Sequence, residues 1–392
     1  MQLAKRVEAL PPYLFARISE LIAQQRARGV DVISFGIGDP DLPTPAYILD
    51  SLKHAADDPA NHRYPETEGL PEFRAAVARW YARRHGVALD PAREIVSLIG
   101  SKEGIGHFPL VLVDPGDVVL ITDPGYPVYE IGTLFCGGES VKVPLREEDG
   151  WLPRLDDIPA DVARRAKLCW LNYPNNPTGA VADLAFYERA VRWARDHDVV
   201  IAHDLAYSEV TYDGYVAPSI LEVEGARDVA IEFNSLSKSF NMTGWRVGMA
   251  VGNATLIDAL RRVKSNLDSG VPQAVQQMAI TALDGPADAI AAHNATYLRR
   301  RDRVVEVLRA LGLRVEPPRA SLYVWARLPE GQRSSAAYAQ QLVEATGVVV
   351  TPGVSYGEAG EGYIRLSLTL ADARVEEGLR RLAAFARGER AL

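Results

Sequence analysis

Cysteine is nearly absent: Cys136 and Cys169 are the only two in 392 residues. Both lie in apolar runs, Leu134-Phe135-Cys136 and Leu168-Cys169-Trp170. That usage excludes a disulfide framework, offers no metal-ligand spacing and reads as reduced core thiols of a cytoplasmic protein. Long apolar stretches are missing too. No run of 18 apolar residues occurs, and Met1–Glu8 lacks the apolar segment of a secretory signal, so no membrane partner is expected. Basic blocks stop at Arg261-Arg262 and Arg299-Arg300-Arg301, and the net charge is −8. Nucleic acid and anionic membranes are therefore poor partners. The seven histidines form no ligand pair at helical spacing; no metal is expected, and His203 reads as a strand residue. What remains is 47% hydrophobic and 24% charged, an ordinary globular composition with enough chain for two domains.

Short apolar runs alternate with helix-length segments. The runs are Ile95–Ile99, Val118–Ile121, Lys167–Leu171, Val199–Ala202 and Val229–Phe233, with Met249–Gly252 as a further strand. This pattern predicts an α/β fold with a mostly parallel sheet covered on both faces. Before it come an amphipathic helix, Arg17–Ala27, and a short strand, Val32–Phe35, ending in a glycine turn. After Gly285-Pro286 the spacing predicts a long charged helix (Ala291–Leu311), strands within 321–326, 347–351 and 362–367, and a closing helix from Asp372. The expected domains are a large one over 48–284 and a smaller α+β one built from 1–47 and 285–392.

Ligands of open α/β sheets bind beyond the carboxyl ends of the strands. Ile95–Ile99 is followed by Gly100-Ser101-Lys102, a hydroxyl and backbone N–H groups opening a helix, which suits an anion. Val118–Ile121 leads to Tyr126 on a proline-stiffened loop, able to stack on a planar ring. Lys167–Leu171 leads to Asn175-Asn176-Pro177-Thr178-Gly179, Val199–Ala202 to Asp204 and Tyr207, and Val229–Phe233 to Ser235, Ser237 and Lys238, with Arg246 beyond. Each feature alone has a plainer reading: a helix cap, a turn, an N-cap, a packed ring, a surface lysine. Together they supply an anion site, a stacking ring, an amide, a carboxylate and a lysine. A lysine at a buried strand end loses charge by desolvation and becomes a nucleophile near neutral pH. The set matches what pyridoxal 5'-phosphate needs from a protein.

These motifs resemble the class I and II aminotransferases of the pyridoxal-phosphate fold type I group. They are Asn175-Asn176-Pro177-Thr178-Gly179, the pair Asp204 and Tyr207, Ser235 with Ser237-Lys238, and Gly244-Trp245-Arg246-Val247-Gly248. The resemblance spans essentially the whole chain. Within the group, the stretches Leu10–Arg17, Phe35–Asp41, Gly100–Gly104, Ser237–Arg246 and Lys264–Gly270 are most similar to the bacterial LL-diaminopimelate aminotransferases.

The resemblance implies a role for each residue. Lys238 would hold the cofactor aldehyde and act as the general base. Asp204 would face the pyridine nitrogen, Asn176 and Tyr207 the phenolic oxygen, and Tyr126 the ring. Ser101, Lys102, Ser235, Ser237 and Arg246 would surround the phosphate. Arg365 would grip the substrate α-carboxylate as a two-pronged fork, although by itself a strand arginine reads as facing outward. Tyr13, Gly38, Lys102, Tyr126, Asn176 and Asn266 would also meet substrate. Tyr64 and Asn266 would serve the neighbouring site of a homodimer.

The expected reaction moves an amino group between an amino acid and a 2-oxo acid, with LL-2,6-diaminopimelate and 2-oxoglutarate as the expected pair. Lys264, Asn266 and Asp268 replace the arginine that reads a second carboxylate in aspartate aminotransferases, and this mixed set suits a zwitterionic distal group. Alanine, aspartate or another amino acid is the alternative donor, and a fold type I C–S lyase a more distant one. A transcription regulator would need an added DNA-binding domain, for which the start at Leu3–Val7 leaves no expected room. A nicotinamide oxidoreductase would need Gly-x-Gly-x-x-Gly after a strand, which does not occur.

Overall fold

A computed structural model describes residues 2–11, 14–286 and 288–389, with 14–18 described as backbone. Its centre is a seven-stranded sheet. In spatial order the strands are Ile95–Leu98, Gly248–Gly252, Ala230–Ser235, Val200–Asp204, Ala166–Asn172, Val118–Asp123 and Glu139–Pro144. Gly248–Gly252 runs antiparallel to both neighbours; the other pairings are parallel. Val118–Asp123 and Ala230–Ser235 are buried at every position, as strands covered on both faces must be. The expected strands all form. Glu139–Pro144 joins them as an edge strand whose charged residues and proline left no apolar run to read.

Helices cover both faces. In Leu184–His197, Phe186, Tyr187, Ala190, Val191 and Ala194 share the buried stripe. That helix starts where Asp183 accepts the Phe186 N–H at 2.8 Å, satisfying one orphan donor of the first turn. One result positions the site: the parallel strands end along one edge. Asn172 is level with Asp204, and Asp204 with Phe233, so the polar residues at or just beyond these ends converge.

The C-terminal part adds a three-stranded antiparallel sheet, Thr351–Pro352, Tyr363–Ser367 and Tyr323–Arg327. The N-terminal strand Ile33–Ser34 pairs in parallel with Val348–Val349. Ile33 and Phe35 join Leu322, Val324, Ile364, Leu366, Val375 and Leu379 in one apolar cluster. The helices Asp288–Ala310, Ser335–Thr346 and Asp372–Ala386 flank this part.

Behind the large sheet lies a polar knot with no exposure at its centre. Glu232 and His203, on adjacent strands, meet at 2.9 Å, and both side chains are fully buried. Glu232 accepts the Tyr81 hydroxyl at 2.8 Å, the Ser219 hydroxyl at 2.9 Å and the Ile220 N–H at 3.1 Å. Burial pushes this carboxyl upward, but the bonds from His203 and Tyr81 outweigh it and hold Glu232 below the usual glutamate value. A depressed carboxyl stabilises the fold above its unfolded pKa, and that contribution fades as pH falls through the lower folded value. Glu232→Ala strands several buried donors. In chemical denaturation at pH 7 the variant is expected to lose about 3–5 kcal/mol, with the deficit shrinking in acid.

Candidate active site

The strand ends open into a cavity of about 520 Å³ lined by Ser101, Lys102, Tyr126, Asn172, Asn176, Asp204, Tyr207, Ser235, Ser237, Lys238, Arg246 and Tyr323. A larger apolar groove of about 850 Å³ adjoins it and shares Lys102, Tyr126 and Arg246. The turn after Asn172 is tied to the neighbouring strand. Asn172 donates to the Asp204 carbonyl at 2.8 Å and accepts the Asn176 N–H at 2.9 Å. That pair of bonds fixes the turn that carries Asn176.

Lys238 lies in the short helix Leu236–Ser239, which Ser235 caps by accepting the Ser237 N–H at 3.2 Å. Its ammonium donates to the Gly38 carbonyl at 2.7 Å. Desolvation draws its pKa below the ordinary lysine value, and the positive charges of Arg246 and Arg365 act in the same direction. Asp204 shows the converse. Burial raises its pKa, while bonds from the Tyr129 hydroxyl at 2.8 Å and the Ala206 N–H at 3.2 Å resist the rise. Among the described residues no lysine or arginine forms an ion pair with it. A buried carboxylate without a cation faces a cavity that could hold one.

Gly100 (φ +71°) has no room for a side chain, because an added Cβ would collide with the Arg246 guanidinium. That close approach brings Arg246 onto the turn leading into Ser101–His107. Ser101, Lys102, Ser235, Ser237 and Arg246 thus line one part of the cavity. Arg365 is fully buried. It donates to Asn176 Oδ1 and to the Gly36 carbonyl, both at 2.8 Å, while its Nε has no partner. A guanidinium with an unspent donor is suited to a further anionic acceptor.

The other expected residues fall elsewhere. Tyr64 is 87% exposed and Asn266 is exposed, its amide donating to the Arg262 carbonyl at 2.8 Å. Neither lines the cavity of its own chain. Tyr13 lies outside the described residues. Lys264 and Asp268, expected near a distal substrate group, are turned inward. Lys264 is fully buried and bonds Glu103 at 2.8 Å and Asp268 at 3.0 Å. Glu103 in turn accepts the Ile99 N–H at 3.0 Å. Lys264 therefore braces the turn before Ser101 rather than facing a ligand. Glu103, His107 and Asp268 bring three ligand-type atoms together, but the Lys264 ammonium already meets both carboxylates.

Residues 30–382 match the model of the family described as aminotransferase class I and II. The chain belongs to this family. An LL-diaminopimelate aminotransferase of Dehalococcoides mccartyi (strain 195) is 59% identical over 98% of this chain and 99% of its own. One of Moorella thermoacetica is 57% identical over 97% and 98%. Among solved structures, substrate-bound BacF of Bacillus subtilis superposes with a TM-score of 0.94 at 35% identity, covering 98% of each chain. Aminotransferases of this family are pyridoxal-phosphate-dependent and act on amino acids and 2-oxo acids. The cavity fits that cofactor: it offers an uncompensated buried carboxylate, a desolvated amine and a cluster of hydroxyls beside a guanidinium.

Two residues that the sequence did not single out stand in this aminotransferase site. Tyr129 bonds Asp204 and stacks on Trp170, with ring centroids 4.8 Å apart. Its position one helical turn after Tyr126 was the available signal. Tyr323 lines the cavity and reaches the Tyr207 hydroxyl at 3.0 Å. It was hidden in an aromatic strand, where it reads as core.

Proposed function

We propose that the chain transaminates LL-2,6-diaminopimelate with 2-oxoglutarate, as a step of lysine biosynthesis. The observation that carries this reading is near-full-length identity of 57–59% to LL-diaminopimelate aminotransferases, and it is supported by a cavity lined by Lys238, Asp204 and Asn176, the last bonded to the buried Arg365. When bound, pyridoxal phosphate supplies an electron sink for the charge left when a substrate α-proton departs.

The protein's part is positional and acid–base. Asp204 faces the ring nitrogen, whose positive charge would offset the burial that now raises the carboxyl. Tyr129 holds Asp204 in orientation. Asn176 and Tyr207 donate to the phenolic oxygen, and Tyr126 stacks on the ring. Ser101, Lys102, Ser235, Ser237 and Arg246 hold the phosphate. Lys238 would hold the aldehyde and, when free of it, would carry the substrate α-proton across the site; desolvation lowers its pKa below the ordinary lysine value, which enlarges its neutral fraction. Arg365 takes the α-carboxylate as two parallel charge-assisted bonds.

The assembly proposed is a homodimer in which Tyr64 and Asn266 reach the neighbouring site. The support is their exposure and their absence from their own chain's cavity. Placement in the cytoplasm is supported by two free thiols. Among the described residues no helix is long and apolar enough to cross a membrane. The division near residues 47 and 284 is supported by two apolar clusters, the second of which joins the terminal segments with Ala206, Tyr207, Val210 and Tyr212 of the large part.

The test is an amino-donor panel on purified holoenzyme with 2-oxoglutarate as acceptor. LL-diaminopimelate is expected to give the highest kcat/KM. A far better rate with alanine or aspartate would overturn the substrate assignment, and stoichiometric release of thiol or pyruvate from cysteine or cystathionine would favour the C–S lyase reading.

A further inference from the structure

Arg365 cannot be reached from the cavity as the protein stands. Its side chain has no exposed surface, and it is not among the residues that line the cavity. Tyr323 is. The Tyr323 ring lies with its centroid 3.9 Å from the Arg365 guanidinium carbon, and the ring of Tyr356 lies 4.8 Å away. A cation this close to an aromatic ring is held by the ring's negative face. The two terminal nitrogens are engaged by Asn176 and Gly36, and Nε is left without an acceptor. A carboxylate entering from the cavity therefore meets the phenol of Tyr323 before it meets the arginine.

We infer that Tyr323 is a positioning residue that gates the carboxylate fork. Its ring covers Arg365 in the resting protein and swings aside as the substrate α-carboxylate arrives. The latch is the 3.0 Å bond between the hydroxyls of Tyr323 and Tyr207. A phenol both donates and accepts, so Tyr207 can keep this bond and still donate to a cofactor oxygen. Gly38 completes the seat, because a Cβ there would strike the Tyr323 hydroxyl. The place beside Gly38 is taken by this hydroxyl.

The backbone on the N-terminal side of the gate is anchored. Ser321 sits at φ +76°, donates its N–H to the Val210 carbonyl at 2.8 Å and accepts the Tyr212 hydroxyl at 2.7 Å. Tyr323 also begins a strand paired with Ser367. The movement is thus a rotation of the side chain, with the strand fixed. Closing the fork until a carboxylate is present keeps water off the arginine, and binding must then break the latch. A ligand that needs the minor, open arrangement binds more weakly in proportion to how rarely that arrangement occurs.

This inference rests on reading Arg365 as the carboxylate fork, and the experiment separates the two. Holoenzyme is treated with phenylglyoxal, and labelled arginines are mapped by peptide mass spectrometry, with and without glutarate, a dicarboxylate that cannot transaminate. Arg365 is expected to resist labelling in the wild type, to be labelled in Tyr323→Ala, and to be protected there by glutarate. Arg300 and Arg301, both buried on the helix Asp288–Ala310, report any loss of fold. Tyr323→Phe keeps the ring and removes the latch, so it should bind glutarate about fivefold more tightly, the equivalent of one ordinary hydrogen bond, with kcat changing less than the dissociation constant. A purely structural Tyr323 would weaken binding or leave it unchanged. Wild-type Arg365 reacting as fast as in Tyr323→Ala, or Tyr323→Phe binding glutarate no tighter than wild type, would overturn the gate. Labelling in Tyr323→Ala that glutarate fails to block would overturn the fork itself.

Discussion

Lys238→Ala is expected to abolish sustained transamination, with a loss of at least about 10⁴-fold. Its proposed tasks are two, attachment of the aldehyde and movement of the α-proton, and acid–base catalysis alone contributes about 10²–10⁴-fold. The geometry supports both. The amine projects from the short helix after the central strand, beside Asp204 and Tyr207, and is desolvated enough to lower its pKa. Borohydride reduction of wild-type holoenzyme followed by peptide mass spectrometry should find a pyridoxyl adduct on Lys238 and none in the variant. Removing the ammonium also frees the Gly38 carbonyl, its 2.7 Å partner. That is a small structural change, so the variant should fold and still bind cofactor non-covalently. Full activity in Lys238→Ala would reject the assignment of this lysine.

Much of this site was legible because its residues follow apolar runs. Asn176, Asp204, Ser235 and Lys238 come at or just after strands whose burial on both faces makes them continuous in apolar residues, and the sheet aligns those ends. Residues whose role depends on distant partners were not legible. Lys264, at the end of a helix, reads as a group facing the distal end of a substrate, yet its partner Glu103 lies 161 positions away. Tyr323 reads as core because its neighbours are Leu322, Val324 and Trp325, and only the fold sets it over Arg365. Arg365 itself came from family resemblance alone. The edge strand Glu139–Pro144 was missed for a different reason: one exposed strand at the rim of a sheet carries charges that break the apolar pattern.

Asp204 offers the sharpest opposition between stability and activity. Its carboxyl is buried, and desolvation holds its pKa above the usual aspartate value. A raised carboxyl pKa means that the native state binds the proton more readily than the unfolded chain, so stability falls as pH rises through that range. At pH 7 an ionised Asp204 therefore opposes folding until a positive charge is placed against it. Asp204→Asn removes the charge and keeps the shape, and its amide oxygen can still accept the Tyr129 hydroxyl that now meets Asp204 at 2.8 Å. Urea unfolding of the apoproteins at pH 7 should show the variant more stable than the wild type, with the advantage vanishing in acid. The holoenzyme should behave in the opposite sense. Without the carboxylate the ring nitrogen loses its counter-charge, and kcat should fall by about 10²–10³-fold, the scale of deleting one preorganised electrostatic partner. Cofactor affinity should fall with it, because the charge that costs the apoprotein stability is the one that attracts the ring. A variant that loses apoprotein stability while keeping wild-type kcat would show that Asp204 is a structural carboxylate and that the ring nitrogen is met elsewhere.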